Sequence, residues 1–177
     1  MPVDILSSPP AGIWKLPLAR PELRSALDAM LAAAGSSGSS MELLLAGDAL
    51  MEELNRTHLG SACPTNILAF PGASRSLRPP GPRPGKTAPG LENLREAPPE
   101  HFPPARMLGS LVLAPEAVRR ECFLYGQEAA GHTLRLLAHG LAHLLGLDHG
   151  PDLDRLTALL EKSARQNTLP GLRMPCS

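Results

Sequence analysis

Three of the six histidines of this 177-residue chain fall within eleven residues, in the stretch His139-Gly140-Leu141-Ala142-His143-Leu144-Leu145-Gly146-Leu147-Asp148-His149. On an α-helix, positions i and i+4 lie one above the other, so His139 and His143 can present two imidazoles from one face. Gly146, three residues past His143, is the residue type that ends a helix in a left-handed conformation without the steric cost of a Cβ. The chain can then turn back and bring His149 in as a third nitrogen. Three protein ligands leave the fourth corner of a tetrahedral zinc open to water, as in catalytic rather than structural sites. Zinc lowers the pKa of such a water to roughly 7, which makes it a usable nucleophile at neutral pH. The spacing predicts one zinc ion per chain on His139, His143 and His149, although three imidazoles also suit nickel, copper or iron.

The same H-x-x-x-H-x-x-G-x-x-H spacing occurs in metzincin proteases, which carry Glu directly after the first His as general base. Here that position is Gly140, so a peptidase reading loses its base while the metal reading is untouched. No other residue is marked as a general base. His58, His101 and His132 are read as ordinary histidines; of these, His132 lies two turns before His139 on the same face and is the one placed to support the triad.

Composition narrows the remaining choices. Lys plus Arg equals Asp plus Glu at 17 each, so no global basic field advertises nucleic acid, and any polyanion site must be local. The three cysteines, Cys63, Cys122 and Cys176, have neither paired nor metal-type spacing, which fits a reducing compartment. The N-terminus lacks a basic region followed by an apolar run, and no apolar stretch reaches the length of a membrane span. These features predict a cytoplasmic protein without a membrane partner, and the length suits a single domain over 1–177.

The elements that must position the triad follow from apolar periodicity. Residues 1–19, around Trp14, can supply an edge strand. A helix is expected from Pro21 to about Ala34, broken by the Gly/Ser run from Gly35 to Ser40, and a strand over Met41 to Ala46. Asp48 reads as the N-cap of a helix to about His58. Asn66 to Phe70 and Leu108 to Ala114 read as further strands, the second ended by Pro115 at the start of a helix that Gly126 interrupts. Gln127 to Leu145 is apolar on nearly every side, which marks a helix buried in the centre of the domain. A last amphipathic helix is expected from Pro151 to about Gln166. Ten prolines from Pro71 to Met107, with Arg75, Arg78, Arg83 and Lys86 among them, cannot bury enough apolar surface to offset the entropy of ordering them. That stretch, about 71–107, is read as an inserted loop. The fold class is α+β: a small mixed sheet packed with several helices, the central one carrying the metal site.

Three segments together resemble one family. His139-Gly140-Leu141-Ala142-His143-Leu144-Leu145-Gly146-Leu147-Asp148-His149 resembles the H-G-x-L-H-L-x-G-Y-D-H signature of the YbeY family of bacterial zinc-dependent endoribonucleases, or rRNA maturation factors. Leu54-Asn55 followed by Pro64-Thr65-Asn66-Ile67-Leu68-Ala69-Phe70-Pro71 is similar to that family's L-N … P-T-D-V-L-S-F-P. Leu108-Gly109-Ser110-Leu111-Val112-Leu113 stands where the family has L-G-D-I-x-I. The resemblance covers about residues 41–165 apart from the proline-rich insertion.

It implies that His139, His143 and His149 are zinc ligands and puts Asp148 in the place of the acidic residue before the third ligand, where its charge can either orient an imidazole or serve a helix cap or turn. It also implies single-strand-specific RNA cleavage in 16S rRNA 3′-end maturation and ribosome quality control, with an rRNA precursor and the small ribosomal subunit or its proteins as partners and no DNA. The departures are Leu59, where the family commonly has a basic RNA contact, Asn66 and Ser110 in place of Asp, and Leu147 in place of Tyr. Arg56, one helical turn before Leu59, is a substitute RNA contact. The alternative that these neutralised positions suggest is a catalytically weakened, zinc-containing ribosome-associated binding factor.

Overall fold

The computed structural model describes residues 3–8, 16–60, 65–72 and 107–168. The expected proline-rich insertion therefore lies largely outside the described residues, as do Trp14, Cys63 and His101. The chain runs β1 (Val3–Ser7), α1 (Arg20–Ala33), β2 (Ser40–Leu45), α2 (Asp48–Leu59), β3 (Ile67–Pro71), β4 (Met107–Leu113), α3 (Pro115–Tyr125), α4 (Ala129–Leu144) and α5 (Pro151–Thr168). This is an α+β fold with a four-stranded mixed sheet and five helices, and every element follows the order the periodicity predicts.

Strand order, which sequence alone left open, is β1-β2-β4-β3. β1 and β4 both pair parallel to β2, and β3 pairs antiparallel to β4 at one edge, with Ile67 opposite Leu113 and Ala69 opposite Leu111. Alternation along β2 sends Met41, Leu43 and Leu45 to one core, with Leu111, Leu113 and the apolar faces of α1, α4 and α5. Leu44 points the other way, toward Val112, Leu68, Met51 of α2 and Ala117 of α3. The period of two thus builds two cores, one on each side of the sheet.

α4 has the least water around it: His132, Thr133, Leu134, Leu136, Leu137, Ala138, Gly140, Leu141, Ala142 and Leu144 are all buried. It lies between the sheet and α5, and Gly140 allows the close approach. A Cβ on Gly140 would come within 2.8 Å of Ile67 Cδ1 and 2.9 Å of Leu111 Cδ2. Position 140 therefore faces β3 and β4, so a glutamate there would run into the sheet.

Two helix starts differ from expectation. Asp48 is the first residue of α2 rather than its N-cap, which is Gly47. The Asp48 N–H donates to Glu116 Oε2 at 2.9 Å, so α3 supplies the capping carboxylate, while the Asp48 side chain pairs with Arg120. α4 begins two residues later than Gln127, because the Glu128 carboxylate accepts from Ala130 N at 2.8 Å and Gly131 N at 2.6 Å. Those bonds satisfy donors that a helix start otherwise leaves unpaired.

Candidate metal centre

His139 and His143 stand one turn apart near the C-terminal end of α4, half-buried, and the turn that follows delivers His149. That turn is set by hydrogen bonds. Gly146 N donates to His143 O at 3.0 Å and Leu147 N to Ala142 O at 3.2 Å, with Gly146 at φ 97°. This pair of bonds is the Schellman arrangement, and its left-handed residue is the reason glycine suits position 146. The chain reverses and places His149, itself exposed, against the other two rings. Ring centroids of His139 and His143 are 4.7 Å apart, of His143 and His149 4.7 Å, and of His139 and His149 5.7 Å.

One nitrogen from each ring lies within 4.8 Å of the others, a grouping able to hold a metal ion. The donor chemistry fits. The same turn directs Leu147 O to His143 Nδ1 at 2.9 Å, so Nδ1–H donates and the Nε2 lone pair is left on the cluster side. His143 Nε2 lies 3.2 Å from His139 Nε2, and both face the common centre. Burial pushes the pKa of His139 below the ordinary 6.5, with the charges of His143 and His149 adding to it and Asp154 opposing. His143 is lowered chiefly by burial as well, with His149 adding, against the Leu147 bond and the charge of Asp148. The two imidazoles are thus neutral at neutral pH, the state a metal ligand requires.

The other singled-out residues fall in three places. Asp148 is exposed and acts on His143 through its charge. Arg56 is exposed in the last turn of α2. His132 does not reach the triad. Its Nε2 meets Glu121 Oε2 at 2.6 Å and its Nδ1 meets Arg135 Nη2 at 2.8 Å. Glu121 also accepts from Asn66 Nδ2 at 2.9 Å, so the start of β3, α3 and α4 are tied by one polar chain.

Sequence reasoning missed Glu121, Glu42 and Asp154. Ser110 Oγ donates to Glu42 Oε2 at 2.8 Å across 68 residues, and no local pattern announces such a pair. Asp154 stands in the first turn of α5, where the reversal after Gly146 returns it toward His139. Its signal was its place five residues past the third histidine. His58 stacks edge-on against Phe70 with centroids 5.0 Å apart. No helix among the described residues is long and apolar enough to cross a membrane.

Comparison with known proteins gives one consistent result. The sequence model for the family described as Endoribonuclease YbeY matches residues 17–166. The chain is 43% identical over 148 residues to "Endoribonuclease YbeY" of Oleidesulfovibrio alaskensis, covering 84% of each chain. It is 39% identical over 165 residues to the protein of the same name from Nitratidesulfovibrio vulgaris, covering 93% of this chain and 94% of that one. Among solved structures, that of TM1509 from Thermotoga maritima matches with a TM-score of 0.53 and 15% identity, over 97% of this chain and 99% of that one, a likeness of fold.

Proposed function

Because the chain belongs to the YbeY endoribonuclease family, we propose that it is a single-strand-specific, zinc-dependent endoribonuclease acting in 16S rRNA 3′-end maturation and ribosome quality control. The observation that carries this reading is the convergence of His139, His143 and His149 to within 4.8 Å with the lone pair of His143 Nε2 left on the cluster side. On this reading the three histidines are the ligands of one zinc ion. The ion would supply Lewis acidity toward a phosphate oxygen and a nucleophile usable at neutral pH.

The chain's own residues do the rest. Leu147 O fixes the His143 tautomer, and burial in α4 keeps His139 and His143 neutral and rigidly placed. The charge of Asp148 acts on the triad through His143, and Asp154 acts through His139. Arg56 stands exposed for an RNA phosphate. The partners proposed are an rRNA precursor and the small ribosomal subunit or its associated proteins, in the cytoplasm.

The weakened binding factor is less favoured, because two of the departures that suggested it, Asn66 and Ser110, do not leave the fold without charge. Asn66 is bonded to Glu121, and Ser110 is bonded to Glu42. Where the family's pattern has an aspartate, this chain sets a neutral donor against a carboxylate from another element. Negative charge stays beside β3 and β4 at both points. A peptidase is disfavoured on two counts: position 140 carries no acid, and it faces the sheet. The test is cleavage of a short single-stranded RNA by purified protein, with and without chelator and added zinc, beside His143→Ala. Zinc-dependent cleavage lost in the variant supports the reading; full chelator-insensitive activity in the variant contradicts it.

A further inference from the structure

β3 ends the sheet, and half of its backbone groups point away from it. Asn66 O accepts from Ala114 N at 2.9 Å and Gly72 N donates to Leu108 O at 2.7 Å, so residues 66, 68, 70 and 72 turn their N–H and C=O groups to β4. The period of two then turns the groups of Ile67, Ala69 and Pro71 outward. Ile67 and Ala69, both half-buried, each offer one donor and one acceptor on that edge, which pairs with no other strand among the described residues. Pro71 offers a carbonyl alone.

The same side of the molecule carries the histidines. Gly140 faces Ile67 and Leu111, which puts α4 over β3 and β4. At about 100° per residue, Leu137 and Leu141 lie roughly 60° and 100° to one side of Gly140, and His143 and His139 as far to the other. Leu137 and Leu141 are fully buried in the core shared with α1 and β2. β4 stands between β2 and β3, so the opposite flank, with the two half-buried histidines, opens on the outer side of β3. His132, on that flank too, gives the same direction: its Nε2 meets Glu121, which also holds Asn66 at the head of β3. His139, next to Gly140, is therefore set at the level of Ile67, with the outward groups of β3 on its side.

We propose that the outer edge of β3 holds the sugar–phosphate backbone of single-stranded RNA beside the triad, the N–H groups of Ile67 and Ala69 donating to phosphate oxygens and their C=O groups accepting from ribose 2′-hydroxyls. The proposal rests on RNA being the substrate class. Two residues of a strand span about 6.6 Å, close to the length of one extended nucleotide, and each nucleotide brings acceptors in its phosphate and a donor in its 2′-hydroxyl. DNA would leave both carbonyls without that donor. A peptide strand is the other ligand that a sheet edge invites. Five residues ended by Pro71 are the features that limit such pairing.

Amide hydrogen exchange of the zinc-loaded full-length protein reads the edge directly, with and without a uridine RNA of about 12 nucleotides over a time in which the strand stays intact. The Leu68 and Phe70 amides, turned to β4, should exchange slowly in both samples. Those of Ile67 and Ala69 should exchange fast in the free protein and about tenfold more slowly with RNA. Affinity by fluorescence anisotropy should fall about tenfold for the 2′-deoxy strand, and about tenfold for RNA in Ala69→Pro, which removes one outward N–H and no bond to β4. Ala69→Ser keeps that N–H and should bind as the wild type. The exchange measurement needs no variant, so it decides even where Ala69→Pro does not fold. Ile67 and Ala69 amides that are slow without RNA, or that do not slow when RNA is added, overturn the proposal. Equal affinity for the two strands overturns it as well, and so does protection that only an added peptide strand produces. Protected edge amides in a protein that cleaves nothing would keep the edge contact and contradict the proposed activity; cleavage with unprotected edge amides would do the reverse.

Discussion

His143 does two jobs through its two nitrogens. Nδ1–H is held by Leu147 O, and Nε2 is held 3.2 Å from His139 Nε2, so the tautomer and the aim of the ring are set by the backbone before any ion arrives. The burial that allows this also sets how proton binding couples to folding. The unfolded chain takes up protons at the ordinary histidine value of 6.5, while His139 and His143 in the fold do so only at lower pH. Between those values the unfolded state binds more protons, so stability falls as pH falls. Chelator-treated protein should melt at a lower temperature at pH 5.5 than at pH 7.5, and the gap should narrow in His139→Asn/His143→Asn. An undiminished gap would place the acid sensitivity elsewhere. The triad was legible in the sequence because its spacing is local, spanning eleven residues of one helix and one turn. The pairs Asn66–Glu121 and Ser110–Glu42 span 55 and 68 residues, and no periodicity encodes which partner a polar side chain meets at that separation.

At the scale of elements, two glycines hold the geometry. Gly146 sits at φ 97° in the turn that carries the chain from α4 back to His149. Gly146→Ala should cost about 1–2 kcal/mol from left-handed strain. It should lower zinc affinity more than it lowers the melting temperature, because the proposed third ligand, His149, depends on that reversal; calorimetric zinc titration beside thermal melting separates the two effects. Gly109, at φ 134°, lies where β4 passes close to the end of β3. A Cβ there would collide with Phe70 O and stand 2.5 Å from Gly72 N, all backbone atoms that cannot swing aside. Gly109→Ala should therefore cost about 3 kcal/mol or more, read as a drop in the denaturation midpoint; a shift under about 0.5 kcal/mol would contradict this packing. Element identities were readable because period-two and period-3.6 patterns are local. Exact starts were not, since the caps of α2 and α4 come from Glu116 and Glu128, a carboxylate of another helix and an unusual cap residue.

For the whole molecule, the placement of α4 between two packed layers would make the proposed metal binding and stability one equilibrium. Two of the proposed ligands, His139 and His143, are held by a helix whose burial draws on α5 and both β3 and β4, so an ion that binds only the folded chain would stabilise all of it. Zinc at a hundred times its dissociation constant should add about 2.7 kcal/mol, a rise in melting temperature of roughly 5–10 °C for a chain of this size. His143→Ala should show little of that rise. Strand order and the second core beneath α2 could not be read from sequence, because both follow from contacts between segments far apart in the chain.

The central claim is that three histidines of α4 and its following turn make this chain a zinc-dependent ribonuclease. The most direct measurement follows cleavage of a short single-stranded RNA by the purified protein after chelation and after zinc is restored, with His143→Ala alongside. The account predicts cleavage that disappears with chelator, returns with zinc and is absent from the variant. A zinc-loaded wild type that leaves the RNA intact, or a variant that cuts as well as the wild type, would contradict it.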